Sequence, residues 1–398
     1  MLNREKVIVA LEAKADQFTA HFSELGQLHR AVMQRLNALD GVSSTDLVAR
    51  LARSGVDWPG ALPTPEWDAA TGLCLPFAPR WANHEEARAW AATILADCTV
   101  AAVDGSQITP TKDFNIPVGA VQVGWFVNYH SPGWRYVKDV SFSVLGPAEL
   151  TEAEEEDDAG DRMTPNWRIN QERFLAETDR LCILLRELAG DRGGLCLFDG
   201  SFIVSFAGNL RPQRAAPYLE GVRRLLATSQ EAGVPVAAFV DRSYSRDFVS
   251  MLDVLSGSAA ATPLSDATLF DKLLPNWGDR TPFFICARHD GLSHEGRAPF
   301  YREVAFTYMR LTRDRAPARI ELPLHWVAAG HAPAILDLLR AECVVGAGYP
   351  YAIETADALA VISQSDRERF YALLEQFALR AGLTLVQARK AASKVARR

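Results

Sequence analysis

The sequence predicts an α/β fold, a mixed sheet flanked by helices, with an N-terminal helical region ahead of it. Three observations carry that expectation. Apolar residues recur at helical spacing through the first 55 residues. Short continuous apolar runs of strand length end at Val103, Phe198 and Val240. Helix-period stretches stand between such runs, and strands alternating with helices point to this class.

The elements follow in order. Val7, Leu11, Ala15, Phe18 and Phe22, then Leu25, Leu28, Val32 and Leu36, keep the helical period until Asp40-Gly41 breaks it. Ser44 heads a short helix. Residues 56–82, rich in Pro, Trp and Gly, read as an irregular connector, and 85–96 as helix. Residues 99–103 form an apolar strand stopped by Asp104-Gly105-Ser106. Residues 118–129 and 134–145 alternate and are rich in β-branched types, which predicts two antiparallel strands around His130-Ser131-Pro132-Gly133. A long helix over 166–188 leads to a second apolar strand, 193–198, stopped by Asp199-Gly200-Ser201. Helix over 217–232, a buried strand over 234–240, strands over 283–288, 300–311 and 317–324, and helices over 331–342 and 366–381 complete the chain. The expected division is a helical region with connector (1–97), a main domain (98–385) and a basic tail (386–398).

Composition narrows the function classes. The chain has 398 residues, 48% of them hydrophobic and 23% charged, ordinary for a globular protein with a sizeable core. The six Cys include no CxxC pair, which fits reduced thiols better than a disulfide frame or a zinc site. The N-terminal stretch turns charged within six residues and lacks an apolar core, so no signal peptide is predicted. No run of 18 apolar residues exists, so no membrane span or membrane partner is expected, and the expected location is cytoplasmic. The net charge of −7 argues against a generic basic nucleic-acid coat protein, though not against a nuclease with a carboxylate site. The acidic run 152–158 reads as a solvated loop. No GxxxxGK[ST] motif is present, so no ATP site is expected.

The chemistry lies in the doubled Asp-Gly-Ser. An Asp at the carboxyl end of a buried strand is held rigidly at the sheet rim, and two such strands side by side would offer hard oxygen ligands on a stiff frame. The alternative is that each Asp-Gly is only a turn. On the helix between them, Glu177 lies near the apolar stripe of Phe174, Leu181 and Leu185 and could complete a three-carboxylate site. Its alternative is a surface pair with Arg173.

Asp104-Gly105-Ser106, the Arg173-x3-Glu177 helix and Asp199-Gly200-Ser201 stand in the order seen in NurA-domain nucleases, which the chain resembles over about 98–381. Ser265-Asp266-Ala267-Thr268-Leu269-Phe270 with Leu273-Leu274, Gly278-Asp279-Arg280-Thr281, Arg319-Ile320-Glu321-Leu322-Pro323 and Gly348-Tyr349-Pro350-Tyr351 are similar to later segments of that family. The resemblance implies a ribonuclease-H-like fold and manganese-dependent DNA cleavage, with magnesium as the alternative ion. It implies single-strand endonuclease and 5′-to-3′ exonuclease activity, a homodimer, and docking on a HerA-type hexameric ATPase in DNA end resection and double-strand break repair.

Carried over residue by residue, Asp104, Glu177 and Asp199 match the metal ligands and Tyr349 the site tyrosine. The implied chemistry has Asp104 or Asp199 bridging divalent ions and Glu177 completing a shell, with Arg242 or Tyr349 positioning the phosphate. Two departures stand out. Asp357 occupies a place where the family usually has His, and Arg242 stands near a usual Lys-Ser. A carboxylate at 357 could still bind a metal as part of the site. The rival reading is a catalytically weak NurA-like subunit that binds DNA or acts as an adaptor in the same complex.

Overall fold

The computed structural model describes residues 2–111, 113–133, 135–150, 166–190, 193–258 and 260–386. The acidic run 152–158 and all of the basic tail beyond Val386 lie outside the described residues.

In chain order the N-terminal helices are α1 (Arg4–Glu12), α2 (Ala15–Asn37) and α3 (Ser44–Arg53). Strand β1 (Gly60–Pro63), α4 (Glu66–Ala69) and α5 (His84–Leu95) follow. Next come β2 (Val100–Ile108), β3 (Gly119–Asn128), β4 (Tyr136–Leu145), α6 (Pro147–Leu150), α7 (Asn166–Glu187) and β5 (Leu195–Asp199). Then α8 (Pro212–Ala232), β6 (Val236–Val240), α9 (Asp247–Leu255), α10 (Asp266–Phe270), β7 (Phe284–Ala287) and α11 (Gly291–His294). The chain closes with β8 (Val304–Met309), β9 (Ala318–Pro323), α12 (Leu324–Ala328), α13 (Ala332–Val345), α14 (Tyr351–Ala360) and α15 (Gln364–Arg380).

The chain divides into two compact units. The first comprises 1–80 and 239–328, the second 81–238 and 329–398, so β6 contains the point where the chain passes from one to the other. In the first unit the strand order is β1-β7-β8-β9, all antiparallel. Its core is aromatic: Phe248 meets Phe270 and Phe284, and Phe270 meets Tyr308, with ring centroids 5.0–5.1 Å apart. Trp67, from the expected connector, is buried there and donates its indole N–H to the Val42 carbonyl at 2.9 Å.

In the second unit the order is β6-β5-β2-β3-β4, a mixed set: β2 runs parallel to β5 and antiparallel to β3, and β3 antiparallel to β4. This is the mixed sheet flanked by helices that the sequence leads one to expect. Val100 to Val103 and Leu195 to Phe198 are buried throughout, as strands covered on both faces must be. Helix α7 covers them with Phe174, Leu181, Leu184 and Leu185, and α8 packs against α7, its Val222 and Leu225 buried.

Several elements differ from expectation. Strand β2 does not stop at Asp104. It continues to Ile108 because β3 supplies an unbroken antiparallel ladder, Asp104 opposite Gly124 and Ile108 opposite Ala120. The connector contains a strand, β1, and a turn of helix, α4. Helix α8 begins five residues early, at Pro212, whose missing N–H costs nothing in a first turn. Residues 299–303 form a 3₁₀ turn, and only 304–309 are strand. Among the described residues, no helix is long and apolar enough to cross a membrane.

Candidate active site

The parallel pairing of β2 with β5 runs from Val100 opposite Leu195 to Val103 opposite Phe198. Asp104 and Asp199 are the next residue on each strand, so the register alone brings two carboxylates out on one rim. Each Gly that follows serves a different need. At Gly200 the chain adopts φ +138°, a conformation L side chains avoid, and β5 ends. At Gly105 the backbone stays in the strand, and the need is space: a Cβ there would stand 2.4 Å from Glu177 Oε1 and 2.9 Å from Arg173 Cγ.

That contact places the third residue. Glu177 is 5% exposed and lies on the face of α7 turned to β2. Arg173 Nη1 lies 2.6 Å from Glu177 Oε1 and donates to the Gly105 carbonyl at 3.4 Å. The pair with Arg173 forms, but on a buried Glu177 and not at the surface. Arg173 stands one turn away, and the pair is seated beside the strand that carries Asp104.

Helix α14 brings the remaining groups. Buried Glu342 of α13 accepts from Ala352 N at 2.8 Å at the start of α14. At its end Gln122 Nε2 donates to the carbonyls of Leu359 and Ala360 at 3.1 and 3.2 Å. Pinned at both ends, the helix presents Asp357 near Asp104, whose carboxyl it helps to raise. On the turn before it, Tyr349 Oη donates to Asp199 Oδ1 at 3.0 Å.

Electrostatics couples these groups. Burial pushes the Asp104 carboxyl up to about 6; the Gly105 amide opposes the rise, while Asp199 and Asp357 add to it. Glu177 is pushed up to about 8, first by burial; Arg173 pulls it down, and the charges of Asp104 and Asp199 push it further up. A carboxyl raised to about 6, as Asp104 is, holds its proton more tightly than an ordinary one.

The donor set suits a hard divalent ion, which takes carboxylate oxygens and could replace that proton. Among the described residues, no three His, Cys, Asp or Glu side chains are already gathered closely enough to hold an ion. The carboxylates are neighbours by charge, with Glu177 turned to Arg173.

Asp104, Glu177, Asp199, Tyr349 and Asp357 all belong to the second unit. Arg242 does not: it follows β6 in the first unit and is exposed. Sequence reasoning missed Gln122 and Glu342, which hold α14. Gln122 carried a signal, a lone polar residue inside an otherwise apolar strand run.

A protein-family model, the NurA domain, matches residues 98–362, a span that holds all five grouped residues. Among solved structures, the crystal structure of NurA with manganese is 9% identical, with a TM-score of 0.43 over 70% of this chain and 89% of that one. NurA bound to dAMP and manganese is 10% identical, with a TM-score of 0.41 over 70% and 88%. Endonuclease V of Ciona intestinalis, in complex with an inosine-containing 23mer DNA, is 8% identical, with a TM-score of 0.29 over 69% and 94%. No curated protein matches the chain.

Proposed function

The chain belongs to the NurA-domain family of nucleases, and we propose that it is a divalent-metal-dependent DNA nuclease centred on Asp104, Glu177 and Asp199. The observation that carries this reading is the β2–β5 register. It delivers Asp104 and Asp199 to one rim, where Asp357 and Glu177 crowd them with further negative charge.

Asp104, Glu177 and Asp199 would hold the ion, manganese or magnesium, with Asp357 standing where the family usually has His. When bound, such an ion stabilises negative charge on phosphoryl oxygens and lowers the pKa of a bound water. The protein's own groups supply the rest. Tyr349 orients Asp199 through its hydroxyl. Arg173 holds Glu177 and keeps a positive charge beside the rim, where an approaching phosphate needs one. Arg242 is proposed as a further phosphate contact.

The same reading includes single-strand endonuclease and 5′-to-3′ exonuclease activity, a homodimer, a cytoplasmic location and work beside a HerA-type hexameric ATPase in DNA end resection. The test is cleavage of end-labelled single- and double-stranded DNA with manganese, for wild type and Asp199→Ala, with the ATPase partner present and absent. Manganese-dependent cleavage that the variant loses supports the nuclease. Folded protein that binds DNA and cleaves under none of these conditions supports the adaptor reading, which Asp357 in the usual place of His favours.

A further inference from the structure

Seven residues beyond Asp199, the 3₁₀ turn Ser205–Asn209 carries Phe206, which is 53% exposed. A single exposed apolar side chain needs no explanation in general. Phe206 differs because of what holds it. The backbone on either side is fixed by buried Val204 and Ala207, with Ala207 N bonded to Val204 O at 2.9 Å. The ring stands edge-to-face on buried Tyr218, centroids 5.0 Å apart and planes at 87°. Tyr218 meets Phe174 at 5.0 Å, Phe174 meets Phe198 at 6.1 Å, and Phe198 is the residue before Asp199. A continuous file of rings thus braces Phe206 from the strand that carries the site.

The two helices that brace it carry arginines, Arg173 on α7 and Arg214 on α8. Tyr218 lies within the field of Arg173, the arginine bonded to Glu177. Arg214 at the start of α8 lies 4.2 Å over the ring of Trp167 at the start of α7, and Gln171 of α7 donates to the Arg214 carbonyl at 2.9 Å. A rigid, exposed aromatic face, braced by α7 and α8 and by the strand that ends in Asp199, matches the chemistry of an unpaired nucleobase at a phosphodiester-cleaving site. A base inside a duplex hides its face.

We propose that Phe206 is the stacking platform for an unpaired base of the DNA strand whose phosphate reaches the carboxylates. The inference rests on the nuclease reading and deepens it: Phe206 favours single-stranded over paired substrate at this site.

The test uses the full chain in calcium or EDTA, with a fluorescent single-stranded oligonucleotide carrying 2-aminopurine and the matching duplex. Phe206→Leu is expected to weaken single-strand binding roughly 5- to 150-fold, the range for losing one base–aromatic stack, and to abolish quenching of the 2-aminopurine. Phe206→Trp is expected to retain both, and duplex affinity to stay unchanged in either variant. The proposal is overturned if Phe206→Leu binds and quenches like wild type, if Leu and Trp are equally impaired, or if duplex binding falls in parallel. Manganese-dependent cleavage by wild type judges the nuclease reading separately. Cleavage with Phe206→Leu unaffected defeats the stacking role alone. Absent cleavage with the Phe206→Leu binding defect intact defeats the nuclease reading alone.

Discussion

The two units each bring several acids together, and the carboxyls respond differently. In the first, Arg319 lies 2.7 Å from both Asp247 and Glu321, and Arg288 lies 2.6 Å from Asp247. Burial would raise the Asp247 carboxyl, but the two arginines outweigh it and hold it below its ordinary range. In the second, Asp104, Asp199 and Asp357 crowd one rim, while Arg173 is engaged with Glu177, and the Asp104 and Glu177 carboxyls rise. In the first, arginines stand beside Asp247 and Glu321. In the second, burial and neighbouring acids outweigh what Arg173 supplies, and a bound cation would relieve the repulsion. Acids matched by arginines mark architecture, and acids crowded until their carboxyls rise mark a candidate site.

The largest effects should separate these roles. Asp199→Asn is expected to lower metal-dependent DNA cleavage by about a hundredfold or more while leaving urea-induced unfolding near wild type. Arg319→Leu should do the reverse to stability, costing about 3–5 kcal/mol because it removes the buried cation that Asp247 and Glu321 share and leaves Asp247 with Arg288. Equilibrium unfolding in urea checks it. A loss under about 1 kcal/mol would mean that water or another cation reaches that cluster and the contrast fails.

Metal removal gives a smaller, equally directional effect. Adding manganese to EDTA-treated protein should raise Tm by a few degrees through ligand linkage. The increment should vanish in Asp104→Asn and persist in a conservative variant of the first cluster, Arg319→Lys. Differential scanning fluorimetry reads all three. An increment retained in Asp104→Asn would move the ion elsewhere.

Much of this contrast was legible in the sequence, and for stated reasons. Asp104 and Asp199 stood out because each ends a run of apolar strand residues, and the parallel pairing does end there. That β2 runs on to Ile108 was not legible, since Asp-Gly-Ser has poor strand propensity and the partner ladder is tertiary. Glu177 was readable from the apolar stripe of α7. Its bond to Arg173 inside the site was not separable from a surface pair without knowing that Gly105 faces both. Strand β1 is four residues with a Pro, too short for alternation to show. Helix α14 follows Gly348-Tyr349-Pro350 and has only ten residues, so Tyr349 and Asp357 were found by resemblance and placed by structure. The Arg319-x-Glu321 segment likewise drew notice through resemblance, and its role as a buried ion cluster emerged only from tertiary packing.

The smallest expected effect is the sharpest on mechanism, because its sign follows from the carboxyls themselves. Glu177 is raised from an ordinary 4.5 to about 8, and Asp104 from 3.8 to about 6. Between the ordinary and raised values the folded protein holds protons that the unfolded chain has released, so unfolding free energy falls as pH rises through that window. Metal-free protein should therefore lose stability from about pH 4.5 to 8. Asp266 of the first unit, raised to about 7 first by burial and then by Asp247, adds to the decline, so the informative quantity is a difference. Glu177→Gln removes one titrating group and should flatten the slope of Tm against pH. Saturating manganese should flatten it as well, because the ion favours the deprotonated carboxylates and its affinity rises over the same window. A wild-type slope that neither manganese nor Glu177→Gln alters would place the titration outside this site.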